Sequence, residues 1–171
     1  MLYDNGQLVS LYADAYAASK NELYKETVYQ TLDFIERELM DANGGFYSSL
    51  DADSEDEKGH LEEGAYYIWT SEELKKYLKE DFTLFASYYN VNRYGYWEEN
   101  KYHLIRTLSD DEFIKEHKIT KDQLNAYLKK WKALLLEKRN SRARPRLDDK
   151  ILCSWNALML KGYVDAYKAC L

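Results

Sequence analysis

Apolar positions recur at helical spacing from the first residues. Leu8, Leu11, Tyr12, Ala15 and Ala18 fall three and four apart, which predicts an amphipathic helix with these residues on one face. Asp4 or Asn5 is placed to cap its start, since either side chain accepts from the free amides of a first turn. A second helix is predicted over residues 21–40, with Tyr24, Val28, Leu32, Ile35 and Leu39 on its buried side. Only a few residues separate the two, so together they read as an antiparallel αα-hairpin. Asn43-Gly44-Gly45 then ends the second helix, because glycine takes the left-handed conformation of a helix end.

The pattern changes after Gly45. Phe46-Tyr47-Ser48-Ser49-Leu50 and Ala65-Tyr66-Tyr67-Ile68-Trp69 are rich in aromatic and β-compatible residues and predict two short strands. An acidic stretch, 51–63, lies between them, so the unit reads as a long hairpin inserted between helices. Thr70 and Glu73 have capping-box spacing and open a short helix running to about Lys79. Another is predicted over 81–89, then an irregular stretch 91–108 containing Tyr94-Gly95-Tyr96-Trp97, then a short helix over 110–116. A long helix begins at Thr120 on the stripe Leu124, Tyr127, Leu128, Trp131, Leu134 and Leu135. The loop 141–150 holds the only proline. A last helix carries Trp155, Leu158, Met159, Gly162, Ala166 and Cys170 on one face.

Composition narrows the function. Lys plus Arg number 24 against 30 Asp plus Glu, a formal charge of −6, which argues against a general nucleic-acid or anionic-membrane surface. No apolar run reaches the roughly 18 residues of a membrane span, and no signal peptide opens the chain. A cytoplasmic protein is the expectation. Cys153 and Cys170 form neither a disulfide framework nor a zinc or redox motif. The unusual count is 17 Tyr with 4 Trp. Rings with a polar handle suit partly wet, sugar-like ligands as well as ordinary cores.

Two segments could carry chemistry. The first holds Asp51, Asp53, Glu55, Asp56, Glu57, Glu62 and Glu63. Its oxygen spacing resembles a calcium loop, but Asp56 stands where the sharp turn needs glycine, and the flanks read as strands. A solvated acidic turn is the competing reading. Asp51 and Asp53 end an apolar run, and strand alternation sets them on one side about 7 Å apart. Such a pair serves either acid–base sugar chemistry or the capping of backbone amides. The second segment is Arg142-Ala143-Arg144-Pro145-Arg146-Leu147-Asp148-Asp149-Lys150, followed by Ser154-Trp155-Asn156. It reads as a polar pocket wall or as a surface ion-pair network. His60, His103 and His117 have no metal or triad spacing, and no phosphate loop or other cofactor motif is present.

Several strings occur together in a recognisable order. These are Met1-Leu2-Tyr3-Asp4-Asn5-Gly6-Gln7-Leu8, Gly45-Phe46-Tyr47-Ser48-Ser49-Leu50-Asp51-Ala52-Asp53-Ser54, Tyr67-Ile68-Trp69-Thr70, Arg144-Pro145-Arg146-Leu147-Asp148-Asp149-Lys150 and Ser154-Trp155-Asn156-Ala157-Leu158-Met159. The chain thereby resembles the spermatogenesis-associated family of thioredoxin-domain-containing proteins of bacteria and animals. The resemblance implies a longer protein in which a thioredoxin-like domain precedes an α/α toroid, similar to the six-hairpin barrels of N-acylglucosamine 2-epimerases and glycosidases. Residues 1–171 would be one incomplete segment of that toroid, mainly α with a small β-hairpin insertion around residues 46–69. The thioredoxin-like domain and the later toroid helices lie outside it.

On that resemblance the catalytic candidates are Asp51, Asp53, Asp148 and Asp149. Asp4, Trp69, Arg144, Trp155 and Asn156 are the substrate contacts. A saccharide or another small polar ligand is the expected partner, and epimerase-like histidines are not recognisable. The alternative is a non-catalytic helical scaffold attached to the thioredoxin-like domain. An isolated arc leaves its cavity open to water, so no turnover is expected from this chain alone. Both ends look cut from something longer, so the terminal helices are expected to expose apolar stripes that pair between copies in a homo-oligomer.

Overall fold

A computed structural model describes residues 1–56 and 58–170. The chain is mainly helical with small antiparallel strand pairs, and it divides into two compact units. Unit 1 joins the two ends of the chain, Met1–Asp51 and Arg146–Leu171, and unit 2 is the intervening Ala52–Pro145.

Unit 1 contains three helices: α1 (Leu2–Ser19), α2 (Glu22–Glu38) and α7 (Cys153–Cys170). The turn between α1 and α2 is made by Lys20 in the left-handed region (φ 57°) and by Asn21, whose side chain accepts from Leu23 N. The αα-hairpin forms as its short link requires. Its α2 face is the expected one, with Val28, Ile35 and Leu39 buried. On α1 the buried face is instead Leu2, Gly6, Val9 and Ala13, while Leu8 and Leu11 are 44% and 60% exposed. The cause is α7, which lies directly on α1. A Cβ on Gly6 would stand 2.9 Å from the backbone of Leu158 and Met159, and one on Gly162 would stand 2.9 Å from the carbonyl oxygen of Gly6. Backbones this close admit only small residues between them. The contacts of Tyr3 with Trp155, Gly6 with Leu158 and Val9 with Gly162 advance together, so α1 and α7 run parallel. Neither Asp4 nor Asn5 caps α1, because the helix already begins at Leu2 with Met1 at the cap position.

A two-stranded ribbon completes unit 1. Strand β1 (Ser49–Leu50) pairs antiparallel with β6 (Leu147–Asp148), Ser49 opposite Asp148 and Leu50 opposite Leu147. The run 46–50 therefore pairs with residues near 147, and not with 65–69.

Unit 2 holds the hairpin β2 (Asp53–Glu55) with β3 (Leu61–Glu63), and the pair β4 (Trp69–Thr70) with β5 (Lys101–Tyr102). Its helices are α3 (Ser71–Leu78), α4 (Phe82–Tyr88), α5 (Asp110–His117) and α6 (Lys121–Arg139). Reciprocal capping boxes start three of them: Thr70 with Glu73, Ser109 with Glu112, and Thr120 with Gln123. The core gathers Leu74, Phe85, Tyr88, Phe113, Leu124, Leu128 and Trp131. Trp131 Nε1 donates to buried Asp81 at 3.0 Å, so the largest core ring has no orphan donor.

Most of the run 65–69 is a turn, and only Trp69 joins a strand. Gly64 has φ +74°, and the carbonyls of Ala65, Tyr66 and Ile68 all accept from the Arg142 guanidinium, leaving no free row for a ladder. The acidic stretch is the short β2–β3 hairpin. Asp56 turns it by accepting from the amides of Lys58 and His60, both at 2.8 Å. That is the solvated acidic turn, and it corrects the calcium-loop reading; Glu57 lies outside the described residues. Among the described residues no group of three or more His, Cys, Asp or Glu is arranged to hold a metal ion. No described helix is long and apolar enough to cross a membrane.

The α1–α7 contact makes a direct prediction. Gly6→Ala adds a methyl against backbone that no rotamer change can relieve. It should destabilise by about 2–3 kcal/mol through overpacking, beyond the ~1 kcal/mol that alanine gains in helix propensity. Urea denaturation followed by circular dichroism checks this, and an unchanged or raised midpoint would show that the helices are not this close.

Candidate functional site

Hydrogen bonds gather the beginnings of α1, α7 and the ribbon at one end of unit 1. Leu2 N at the start of α1 donates to Ser48 O at 2.8 Å. Ser48 N donates to Asp148 O at 3.1 Å, and its hydroxyl donates to Lys150 O at 2.6 Å. Asn156, in the first turn of α7, grips the backbone of Phe46 in both directions: its Oδ1 accepts from Phe46 N at 2.8 Å and its Nδ2 donates to Phe46 O at 2.9 Å. Segments about a hundred residues apart are thereby stitched together, with Trp155 set edge-on to Tyr3 at 4.8 Å between ring centroids.

The ribbon sorts the charges. Alternation puts Ser49 and Asp148 on one face and Leu50 and Leu147 on the other. Asp51 N donates to Arg146 O at 2.8 Å, continuing the register, so Asp51 and Arg146 share the face of Asp148. Each carboxylate has its own cation: Arg146 lies 3.3 Å from Asp51, and Lys150 lies 2.9 Å from Asp148. The Asp51 and Asp148 side chains are each 39% exposed. The hydrogen bond from Lys150 holds the Asp148 carboxyl below the ordinary carboxylate range. Asp149 is exposed. Its charge adds to that of Asp41, whose hydrogen bond from the Tyr47 hydroxyl at 2.6 Å is the main reason the phenol's pKa is raised. Asp4, in the first turn of α1, lies 3.5 Å from the Met1 amino group.

At this end of unit 1 the ribbon sets Asp51 and Asp148 on one face with Asp149 next in the chain, the first turn of α7 carries Trp155 and Asn156, and Asp4 lies in the first turn of α1 beside the Met1 amino group. Asp53, Trp69 and Arg144 belong to unit 2. The chain bends at Ala52, so Asp51 and Asp53 do not share one strand; Asp53 pairs in β2 opposite Glu63. Trp69 is 3% exposed, with the Arg142 guanidinium 4.0 Å from its ring centroid, so its stacking face is already occupied. Arg144 lies 5.7 Å from the Tyr66 ring. Arg142 itself was not legible as a key residue. It donates to three carbonyls and to Glu73 at 2.8 Å, and nothing in its local sequence distinguishes it from the neighbouring arginines.

No family model matches the chain. The chain is similar to spermatogenesis-associated protein 20. The human protein of that name is 32% identical over 189 aligned positions, which cover 95% of this chain and 23% of the relative. The mouse protein is 31% identical over the same shares. An uncharacterised Caenorhabditis elegans protein is 30% identical, covering 99% of this chain and 26% of the relative. The chain spans about a quarter of the length of the curated relatives it matches.

The clamp at Phe46 can be tested on this chain. Asn156→Ala strands a backbone donor and acceptor together and should cost about 1–3 kcal/mol. Asn156→Asp restores the acceptor for Phe46 N but not the donor to Phe46 O, so it should fall between the two. Thermal melts that do not separate the three proteins would remove the clamp from the account.

Proposed function

We propose that the α1–α7 end of unit 1 is the saccharide-facing surface of a carbohydrate-binding or carbohydrate-active α/α toroid protein. One observation carries the reading: the starts of two parallel helices are joined to a ribbon whose one face carries Asp51 and Asp148. Sugar hydroxyls donate to the open carboxylates of Asp51, Asp148 and Asp149 and accept from Arg146 and Lys150. The half-buried Trp155 offers a ring edge beside them. The resemblance to six-hairpin sugar enzymes points the same way, as analogy of fold.

A second reading has its own observation. Asp51, Asp148 and Asn156 all have partners within the chain. Those partners suit a non-catalytic helical scaffold that carries a thioredoxin-like domain in the longer protein. Calorimetric titration of this chain with a panel of neutral mono- and oligosaccharides separates the two. The carbohydrate reading expects weak binding without turnover, reduced about tenfold by Asp51→Asn or Asp148→Asn. Since Lys150 holds the Asp148 carboxyl low, its contribution should persist below the ordinary carboxylate pKa and fade as pH falls through the depressed value. No binding by any saccharide would leave the scaffold.

Self-association belongs to the same proposal. Leu8 and Leu11 on α1, and Leu160, Val164 and Tyr167 on α7, are exposed although α1 and α7 pack on each other. Pairing of such stripes around a twofold axis would cover them. Light scattering should then show a dimer or larger species, and a monomer across a wide concentration range discards this part.

A further inference from the structure

Unit 2 contains a cleft of about 620 Å³ that none of the nominated catalytic or substrate-contact residues lines, although Glu62 and Arg142 from the two candidate segments do. Its volume is that of a small-ligand site. Glu62 from β3, Thr70 from β4, Lys101 from β5, Glu73 and Tyr77 from α3, and Arg142 after α6 form its walls. Two features, one in this lining and one beside it, restrict what can bind.

The first is charge pairing. Lys101 is bonded to Glu62, and Arg142 to Glu73 at 2.8 Å. An ion entering between these partners would have to break a pair and leave a half-buried charge uncompensated. A neutral hydroxyl faces no such cost. It can donate to the Glu62 carboxylate while a neighbouring hydroxyl accepts from the Lys101 ammonium, so an ion pair of this kind matches a vicinal diol. The Arg142–Glu73 pair is fixed behind it. Arg142 also holds the carbonyls of Ala65, Tyr66 and Ile68, and Glu73 also caps α3.

The second is an exposed ring on the same face. Thr70 pairs with Lys101 in the β4–β5 ladder, Trp97 N donates to Lys101 O at 2.9 Å, and Tyr96 bridges to Tyr102. Alternation therefore sets Trp97 on the face of Thr70 and Lys101; these two line the cleft, and Trp97 stands beside that lining with the His103 ring edge-on at 4.4 Å. Trp97 is 43% exposed, whereas Trp69 and Trp131 are buried. The turn that leads into it is tightly packed. Gly95 sits where an added Cβ would be 2.3 Å from Asn90 O and 2.7 Å from His103 O, and His103 N donates back to Gly95 O at 2.8 Å. A wet indole on a fixed element beside a polar cleft is an arrangement for stacking on the C–H face of a sugar ring.

We propose that this cleft binds a short neutral oligosaccharide, with Glu62 and Lys101 holding a pair of hydroxyls and Trp97 stacking on a ring. The site shares no residue with the end of unit 1, and neither proposal depends on the other.

Trp97 supplies the probe. Intrinsic fluorescence and acrylamide quenching of the whole chain are followed during titration with maltotriose, cellotriose and, as a charged control, citrate. A neutral trisaccharide should shield Trp97 from acrylamide, and citrate should not. In the Asp51→Asn, Asp148→Asn background, Trp97→Phe should abolish the optical change while calorimetry still detects binding. Trp97→Ala and Glu62→Gln should each weaken binding about tenfold. Asp51→Asn with Asp148→Asn should leave the Trp97 signal intact, which separates this site from unit 1. Absence of shielding by either trisaccharide overturns the proposal. Equal shielding by citrate, or unchanged affinity in folded Glu62→Gln, does the same.

Discussion

The contact on which unit 1 depends is the approach of α1 to α7 at backbone distance. Helices usually meet through side chains at axial separations of about 8–10 Å. Here Gly6 rests on the backbone of Leu158 and Met159, and Gly162 rests on the Gly6 carbonyl and on Val9. Because the helices are parallel, their N-termini lie at one end, where the ribbon and the Asn156 clamp join them. Widening that contact would move Tyr3 from Trp155 and the start of α1 from Ser48. The polar end of unit 1 therefore inherits its geometry from two residues that have no side chain.

Each unit fixes its irregular backbone with one side chain that spends nearly all its hydrogen-bonding capacity on it. In unit 1 Asn156 satisfies both the amide and the carbonyl of Phe46, and its Nδ2 also donates to Leu152 O. In unit 2 Arg142 gathers three carbonyls that no strand partner reaches and lays its guanidinium over Trp69. Loops of this kind cannot be buried without such partners, since unpaired backbone groups cost about 1–3 kcal/mol each. The rule explains why amides and guanidinium groups, and not apolar contacts, hold the segments that flank the sheets.

Helices were legible in the sequence because their signals are local. Thr70 with Glu73 and Thr120 with Gln123 are capping boxes within four residues, and the α6 stripe from Leu124 to Leu135 has the helical period. Strand partners were not legible. The ribbon joins Leu50 to Leu147 across most of the chain, and two-residue strands carry no register signal. The buried face of α1 was misread for a related reason. Leucines mark a face only when the neighbour stands at side-chain distance, and α7 instead selects Gly6 and Ala13 and leaves Leu8 and Leu11 outside. Of the nominated residues, Asp51 and Asp148 come to share one ribbon face, and Trp155 and Asn156 follow Asp148 closely in sequence in the first turn of α7. Asp53 was grouped with Asp51 on the premise of one continuous strand, which the bend at Ala52 breaks.

The electrostatics of that end limit the chemistry it could do. Acid–base work on a glycosidic bond needs one carboxyl kept protonated near neutral pH, which takes burial or an adjacent like charge without a compensating cation. Asp148 has the opposite environment: it is open to solvent, beside Lys150, and held below the usual range. In any such reaction Asp148 is an acceptor or a base and never the acid. Asp51 is ion-paired with Arg146. Asp148 could serve as a proton donor only after closure that removes Lys150 and water together. Ligand binding makes no such demand, because an ionised carboxylate is already the better hydrogen-bond acceptor. Under the proposed saccharide-facing role, the groups at that end suit holding a polyol better than cleaving one.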